Sequence, residues 1–136
     1  NNLGNLYLRL GQLDQAVAEY QVALHLDPEY AKGHYNLGQA YMRLQRFDEA
    51  LVSLGQAKKR SPEDVEVNYF IGLLHARAGD FAQAAEALAV AVEGRPEFFD
   101  ARQKLAVAYL KMGKVEESKR ELAVIQKMKE EGEKDE

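Results

Sequence analysis

Asn36-Leu37-Gly38-Gln39-Ala40-Tyr41, followed by Phe47-Asp48-Glu49-Ala50 and then by Ala57 and Pro62, is the stretch that decides the fold. Shifted by 34 residues in either direction, its pattern returns. Gly4, Gly38, Gly72 and Ala106 fall in one column, and Tyr7, Tyr41, His75 and Tyr109 in another. Ala16, Ala50, Ala84 and Ser118 align, as do Leu3, Leu37, Ile71 and Leu105, and Leu13, Phe47, Phe81 and Val115. Pro28, Pro62 and Pro96 punctuate the boundaries, with Glu130 where a fourth would stand. Agreement in so many columns over four copies implies units that pack on their neighbours, not one closed globule.

Within the second copy, Leu37, Ala40, Tyr41 and Leu44 recur at three and four residues and make one apolar helical stripe. Phe47, Ala50, Leu51 and Leu54 repeat the pattern after a break, and Ala57 continues the face. The unit therefore reads as two helices of about 12–14 residues joined by a short turn. Gly11, Gly79 and Gly113 sit where a helix end takes a left-handed residue, and Gln45 holds that place in the second copy at a cost of up to about 1 kcal/mol. Asp27-Pro28 and Ser61-Pro62 predict capped helix starts with proline at the first helical position, and Ser61 with Asp64 resembles a capping box. Gly4 with Ala16, Gly38 with Ala50 and Gly72 with Ala84 put small residues on both helices of a pair, where two backbones can approach closely.

The bulk composition narrows the function classes. The 136 residues are 46% hydrophobic and 29% charged, as in a folded chain. A net charge of −4 gives no general attraction to nucleic acid or to an anionic membrane. The lack of cysteine excludes disulfides and thiolate metal sites. No apolar run approaches the roughly 18–20 residues of a membrane span. The first copy lacks the four positions that later copies hold at Ala31–His34, Val65–Asn68 and Phe99–Arg102. This places Asn1 inside a first helix and leaves room before it for a leader, an anchor or further repeats.

The quoted run resembles a tetratricopeptide repeat. The resemblance covers four copies, at about 1–30, 31–64, 65–98 and 99–132, and is loosest in the last, where Ala106, Ser118 and Ile125 replace the usual small residues. It implies an all-α fold, a right-handed solenoid of about four tandem helix-turn-helix repeats with the first truncated. Residues 133–136 remain as a charged tail. The last helix is expected over about Glu116–Met128 with Leu122 and Ile125 facing inward. Lys129–Glu136 is expected as fraying helix or solvated tail.

Signs of catalysis are sparse. His25, His34 and His75 fall at different repeat positions and share no ligand spacing, so neither metal nor cofactor is expected. His75 stands in the tyrosine column and is expected as a packed, hydrogen-bonded residue, while His25 suits a helix C-terminus. There is no phosphate loop and no nucleophile motif. Asp48-Glu49 and Glu116-Glu117 lie in first helical turns, where the helix dipole favours acids. The chain does not read as an enzyme.

In tetratricopeptide arrays the first helix of each repeat lines a concave groove, and the resemblance points to the matching columns here. One holds Arg9, Arg43, Arg77 and Lys111. Beside it stand Asn5, Gln39, Leu73 and Val107, then Asn2, Asn36, Phe70 and Lys104. Lys32, Tyr35, Glu66, Tyr69, Asp100 and Gln103 complete the wall. Asparagine amides can pair with an extended peptide backbone, cations can take carboxylates, and Tyr35, Tyr69 and Phe70 offer rigid apolar area. The alternative for the cation column is a solvated residue near each helix end. Of Tyr69 and Phe70, Phe70 is expected to face the groove. The two-carboxylate clamp of chaperone-binding repeats is not matched. Its positions here are Asn1, Asn5, Asn36, Glu66 and Phe70, and all three of its cations are missing.

The expected function is a non-catalytic interaction module that holds a peptide or helix of acidic and apolar character, acting as adaptor or scaffold. The alternatives are a structural subunit of a larger complex, or the regulatory or substrate-presenting arm of a longer enzyme. The leucines of the first helix, Leu3, Leu6 and Leu10, are expected to lie poorly covered, so that further repeats or a partner would pack on that end.

Overall fold

The structure, a computed structural model, describes residues 2–134. Among the described residues it is all-helical: α1 (Asn2–Arg9), α2 (Leu13–Leu26), α3 (Ala31–Arg43), α4 (Phe47–Arg60), α5 (Val65–Arg77), α6 (Phe81–Gly94), α7 (Phe99–Lys111) and α8 (Val115–Lys134). The chain divides between Pro62 and Glu63 into two compact units. In the first, α1 packs on α2, α2 on α3 and α3 on α4. In the second, α5 packs on α6, α6 on α7 and α7 on α8.

One turn joins the helices of each pair, and it is made four times in the same way. Gly11, Gly79 and Gly113 have φ of 75°, 85° and 80°, and Gln45 has φ of 61°. Each left-handed residue lets the next amide reach back five residues, from Gln12 to the Tyr7 carbonyl (2.9 Å), Arg46 to Tyr41 (2.9 Å), Asp80 to His75 (2.8 Å) and Lys114 to Tyr109 (2.8 Å). These bonds occupy carbonyls that a helix end otherwise leaves without partners.

The connections between pairs depart from the sequence reading. Pro28 and Pro62 do not open helices. Asp27 and Ser61 cap the C-terminal ends of α2 and α4, and each proline follows such a cap. A proline there stops a helix as effectively as it starts one, because it has no amide to continue the ladder. The Asp27 carboxylate accepts from the Glu29 amide (3.3 Å) instead of capping α3. Asp64, not Ser61, is the N-cap of α5, its Oδ1 accepting from the Val67 amide at 3.0 Å.

The small-residue columns mark the crossing within each pair. A Cβ at Gly4 would lie 2.7 Å from Tyr20 Cε1, at Gly38 2.8 Å from Leu54 Cγ, and at Gly72 2.6 Å from Leu88 Cγ. Tyr20, Leu54 and Leu88 are fully buried and occupy the space those glycines leave. Four residues before them, Ala16, Ala50 and Ala84 are equally buried. The fourth copy has Ala106 in the glycine column, and Leu122, the equivalent of Leu88, is 51% exposed. Leu122 was expected inward with Ile125. Ile125 is buried, but Leu122 is not: Leu88 on α6 is closed in by α7 as well as α5, whereas among the described helices α8 packs chiefly on α7. Helix α8 also runs on past Met128 to Lys134, while Asp135 and Glu136 lie outside the described residues.

Candidate protein-interaction surface

In the first unit, the predicted wall is carried by α1 (Asn5, Arg9) and α3 (Tyr35, Asn36, Gln39, Arg43). Several of these side chains already have work within the unit. The Asn5 Oδ1 accepts from the Tyr20 hydroxyl, whose pKa is raised by burial. Asn36 is buried. Arg43 donates from Nη1 to the Leu8 carbonyl at 2.8 Å. That carbonyl, in the last turn of α1, also accepts from the Gly11 amide at 3.1 Å, so Arg43 uses its second lone pair. Arg43 is thus neither simply solvated nor wholly committed to a ligand; it ties α3 to the end of α1. Arg9 and Lys32 are exposed, and Tyr35 is half-buried. The Gln39 Nε2 is buried without a hydrogen-bonding partner among the described residues.

In the second unit, the predicted wall lies on α5 (Tyr69, Phe70, Leu73, Arg77) and α7 (Lys104, Lys111). Tyr69 meets Phe70 edge-on with ring centroids 5.2 Å apart, and it also meets Phe98 at 4.6 Å. Tyr69 and Phe98 pack against the core formed by α6 and α7. Burial raises the Tyr69 pKa, with a smaller push from Asp100. Phe70 and Leu73 are half-buried, and Arg77, Lys104, Val107 and Lys111 are exposed.

Two members of this cluster were missed by the sequence reading. Arg95 holds its guanidinium 5.3 Å from the Phe98 ring and donates to Glu66 Oε1 at 2.7 Å. The hydrogen bond from Arg95 is the main reason the Glu66 pKa is lowered. Phe98 stands in the column of Tyr30 and of the capping Asp64. An aromatic residue at a position that elsewhere caps a helix was the available signal. Arg95 left no such trace, because its column holds Asp27 and Ser61.

The chaperone-clamp positions carry little of that chemistry. Glu66 is paired with Arg95, Asn5 with Tyr20, and Asn1 lies outside the described residues. The three histidines lie apart, and one of them makes a side-chain hydrogen bond that ties down a connection. His34 Nε2 donates to the Pro28 carbonyl at 2.8 Å, and His25 is exposed in the last turn of α2. His75 is packed as expected. Its buried Nδ1, however, lies 3.9 Å from Asp80 Oδ2, too far for a hydrogen bond, and has no other partner among the described residues. Among those residues no group of three or more His, Cys, Asp or Glu is placed to hold a metal. No helix among them is long and apolar enough to cross a membrane.

Comparison with known proteins follows the repeats. Family descriptions reading "TPR repeat" and "Tetratricopeptide repeat" match residues 4–45, 31–64 and 75–131. No curated protein matches the chain. Among solved structures, a crystal structure of MamA is similar with a TM-score of 0.90 at 24% identity, over 98% of this chain and 78% of that one. The MamA RS-1 ArsTM double mutant gives 0.88 at 20%, over 96% and 74%. MamA MSR-1 C2 gives 0.81 at 23%, over 96% and 75%. At these identities the likeness is one of fold.

Proposed function

The chain belongs to the tetratricopeptide repeat family, and from that premise we propose that it is a non-catalytic adaptor or scaffold holding a partner segment on the first helices of its repeats. The observation that carries this reading is the aromatic group of the second unit. Tyr69 is braced by Phe98 and the α6–α7 core, and Phe70 stands edge-on beside it, half-buried. Rigid aromatic rings held by their own neighbours lose little freedom on binding, which suits them as anchors. The exposed cations on α5 and α7, Arg77, Lys104 and Lys111, supply the polar rim.

The partner segment is an extended or short helical peptide that alternates apolar anchors with acids. Each charge-assisted bond to Lys104 or Lys111 contributes roughly 1.5–3 kcal/mol where shielded, and less where water reaches it. In the first unit Arg9, Tyr35, Gln39 and Arg43 offer a second, more polar stretch. Of these Arg43 is the least available, because it also serves Leu8.

The test is calorimetric titration with a panel of 12-residue peptides that alternate Leu or Phe with Asp or Glu. Binding that weakens about tenfold or more in the Lys104→Glu/Lys111→Glu double variant, and again in Phe70→Ala, is expected. Equal affinity for wild type and both variants would sink the proposal.

A further inference from the structure

The fourth repeat carries an ion pair that its sister copies do without. Arg102 on α7 and Glu121 on α8 meet with Nη1 2.7 Å from Oε2, and their side chains are only 11% and 19% exposed. In the third copy the same two columns hold Asn68 and Ala87, and in the second His34 and Ser53. Asn68, Ala87 and Ser53 are buried, so short neutral residues close this space within the same fold. Taking two charges out of water is costly, and an uncharged alternative often serves stability equally well. The packing of a repeat therefore does not account for the pair.

The rest of the Arg102 guanidinium points to its use. Its Nη2 and Nε donate to the Pro96 carbonyl at 2.9 and 3.3 Å. Pro96 lies in the connection that carries both Arg95 and Phe98. Phe98 is the N-cap of α7 but makes no side-chain cap bond, unlike Asp64 at the start of α5. At the other aromatic N-cap, Tyr30, the His34 Nε2 takes the Pro28 carbonyl at 2.8 Å, in the relation that Arg102 bears to Pro96. The residue four places on thus secures the connection where the cap residue is aromatic. Arginine, with its fork of donors, binds that carbonyl and reaches α8 as well.

We infer that Arg102 and Glu121 are positioning residues for the partner-binding aromatic group, an inference that rests on the reading of that group as the anchor. Glu121 fixes the guanidinium from α8, the guanidinium fixes the Pro96 carbonyl, and the fixed connection holds the Phe98 ring 4.6 Å from Tyr69. Arg95, stacked on Phe98 and bonded to Glu66, secures the same connection from α5. The ring that braces Tyr69 is pinned from two helices, so Tyr69 and Phe70 meet a partner with little freedom left to lose. Arg102 and Glu121 act through Phe98 and not by touching the partner.

The deciding variant is Arg102→Asn/Glu121→Ala, which installs the residues of the third copy and leaves the net charge unchanged. It should fold with an unchanged urea midpoint, while its affinity for the acidic-apolar 12-residue peptides drops about fivefold or more. Nuclear Overhauser contacts between the Tyr69 and Phe98 rings of the free protein should weaken with it. Arg102→Glu/Glu121→Arg restores an ion pair but leaves the Pro96 carbonyl without its donor, and should bind as weakly. Removing the exposed Arg46–Glu49 pair by Arg46→Asn/Glu49→Ala should leave affinity and ring contacts as in wild type. Wild-type affinity and ring contacts in Arg102→Asn/Glu121→Ala would overturn the inference. So would loss of folding in that variant, since the pair would then be a structural requirement. Full affinity in the reversed pair would overturn it too, since the bond to Pro96 would then not matter. A wild-type chain that binds none of the peptides sinks the reading of the site, and the ring contacts alone then decide the positioning.

Discussion

Gly72→Ala isolates the packing rule on which the repeats depend. The new Cβ would sit 2.6 Å from Leu88 Cγ and 2.9 Å from its Cδ2, with the Ala84 carbonyl 3.3 Å behind. Leu88 has no exposed surface and cannot rotate clear of its own branch point within a closed core. To relieve the contact, Leu88 must give up much of its burial between α5 and α7. Losing most of a leucine's burial costs about 1.5–3 kcal/mol. Replacing a mid-helix glycine by alanine returns about 1 kcal/mol of propensity. The balance is a destabilisation of about 0.5–2 kcal/mol, read from urea titrations of the whole chain. Gly55→Ala is the matched control, because nothing lies within 4 Å of the added carbon. It should gain about 0.5–1 kcal/mol. If Gly72→Ala gains stability as Gly55→Ala does, the close approach at Gly72 is not what holds α5 to α6.

The remaining expectations use the same unfolding assay. Gln45→Gly should stabilise by up to about 1 kcal/mol, since residue 45 has φ of 61° and a side chain is strained there; a loss would mean that the glutamine side chain is needed in the turn. Asp64→Ala removes the bond accepted from the Val67 amide and should cost about 1 kcal/mol, whereas Ser61→Ala should change little. Glu66→Gln should cost no more than about 0.2–1 kcal/mol near neutral pH, because the Arg95 pair is only part-buried and water still screens it. Glu66 is held at a lowered pKa in the fold, so its contribution is present above the ordinary glutamate value of about 4.3 and fades as pH falls through the folded value. Wild type and variant should therefore converge at low pH, and a gap that widens in acid would contradict the pairing.

Much of the fold could be read from columns because each repeat solves the same packing problem. The helix starts at Ala31, Val65 and Phe99 keep the 34-residue spacing, and all four turn positions adopt the left-handed backbone expected of them. The prolines misled because Asp-Pro and Ser-Pro are compatible with either end of a helix, and only the hydrogen bonds distinguish the two. Leu122 misled because its column holds a buried Tyr20, Leu54 and Leu88 in the other copies, while burial also depends on the helices packed around it, and among the described helices α8 packs chiefly on α7. The candidate surface was less legible. A column shows that a cation recurs, but not that Arg43 reaches the Leu8 carbonyl or that Asn5 is taken by Tyr20. Arg95 and Phe98 join the cluster from the connection between α6 and α7, where the first-helix periodicity does not reach.

The central claim is that partner segments are held on first-helix side chains of this chain. Amide and aromatic NMR spectra recorded while an acidic-apolar peptide is titrated in test it most directly. The account predicts shifts concentrated at Tyr69, Phe70, Leu73, Arg77, Lys104 and Lys111, with α6 and the outer face of α8 unmoved. Shifts concentrated on α6 or α8, with the Tyr69 and Phe70 rings unchanged at saturation, would contradict it.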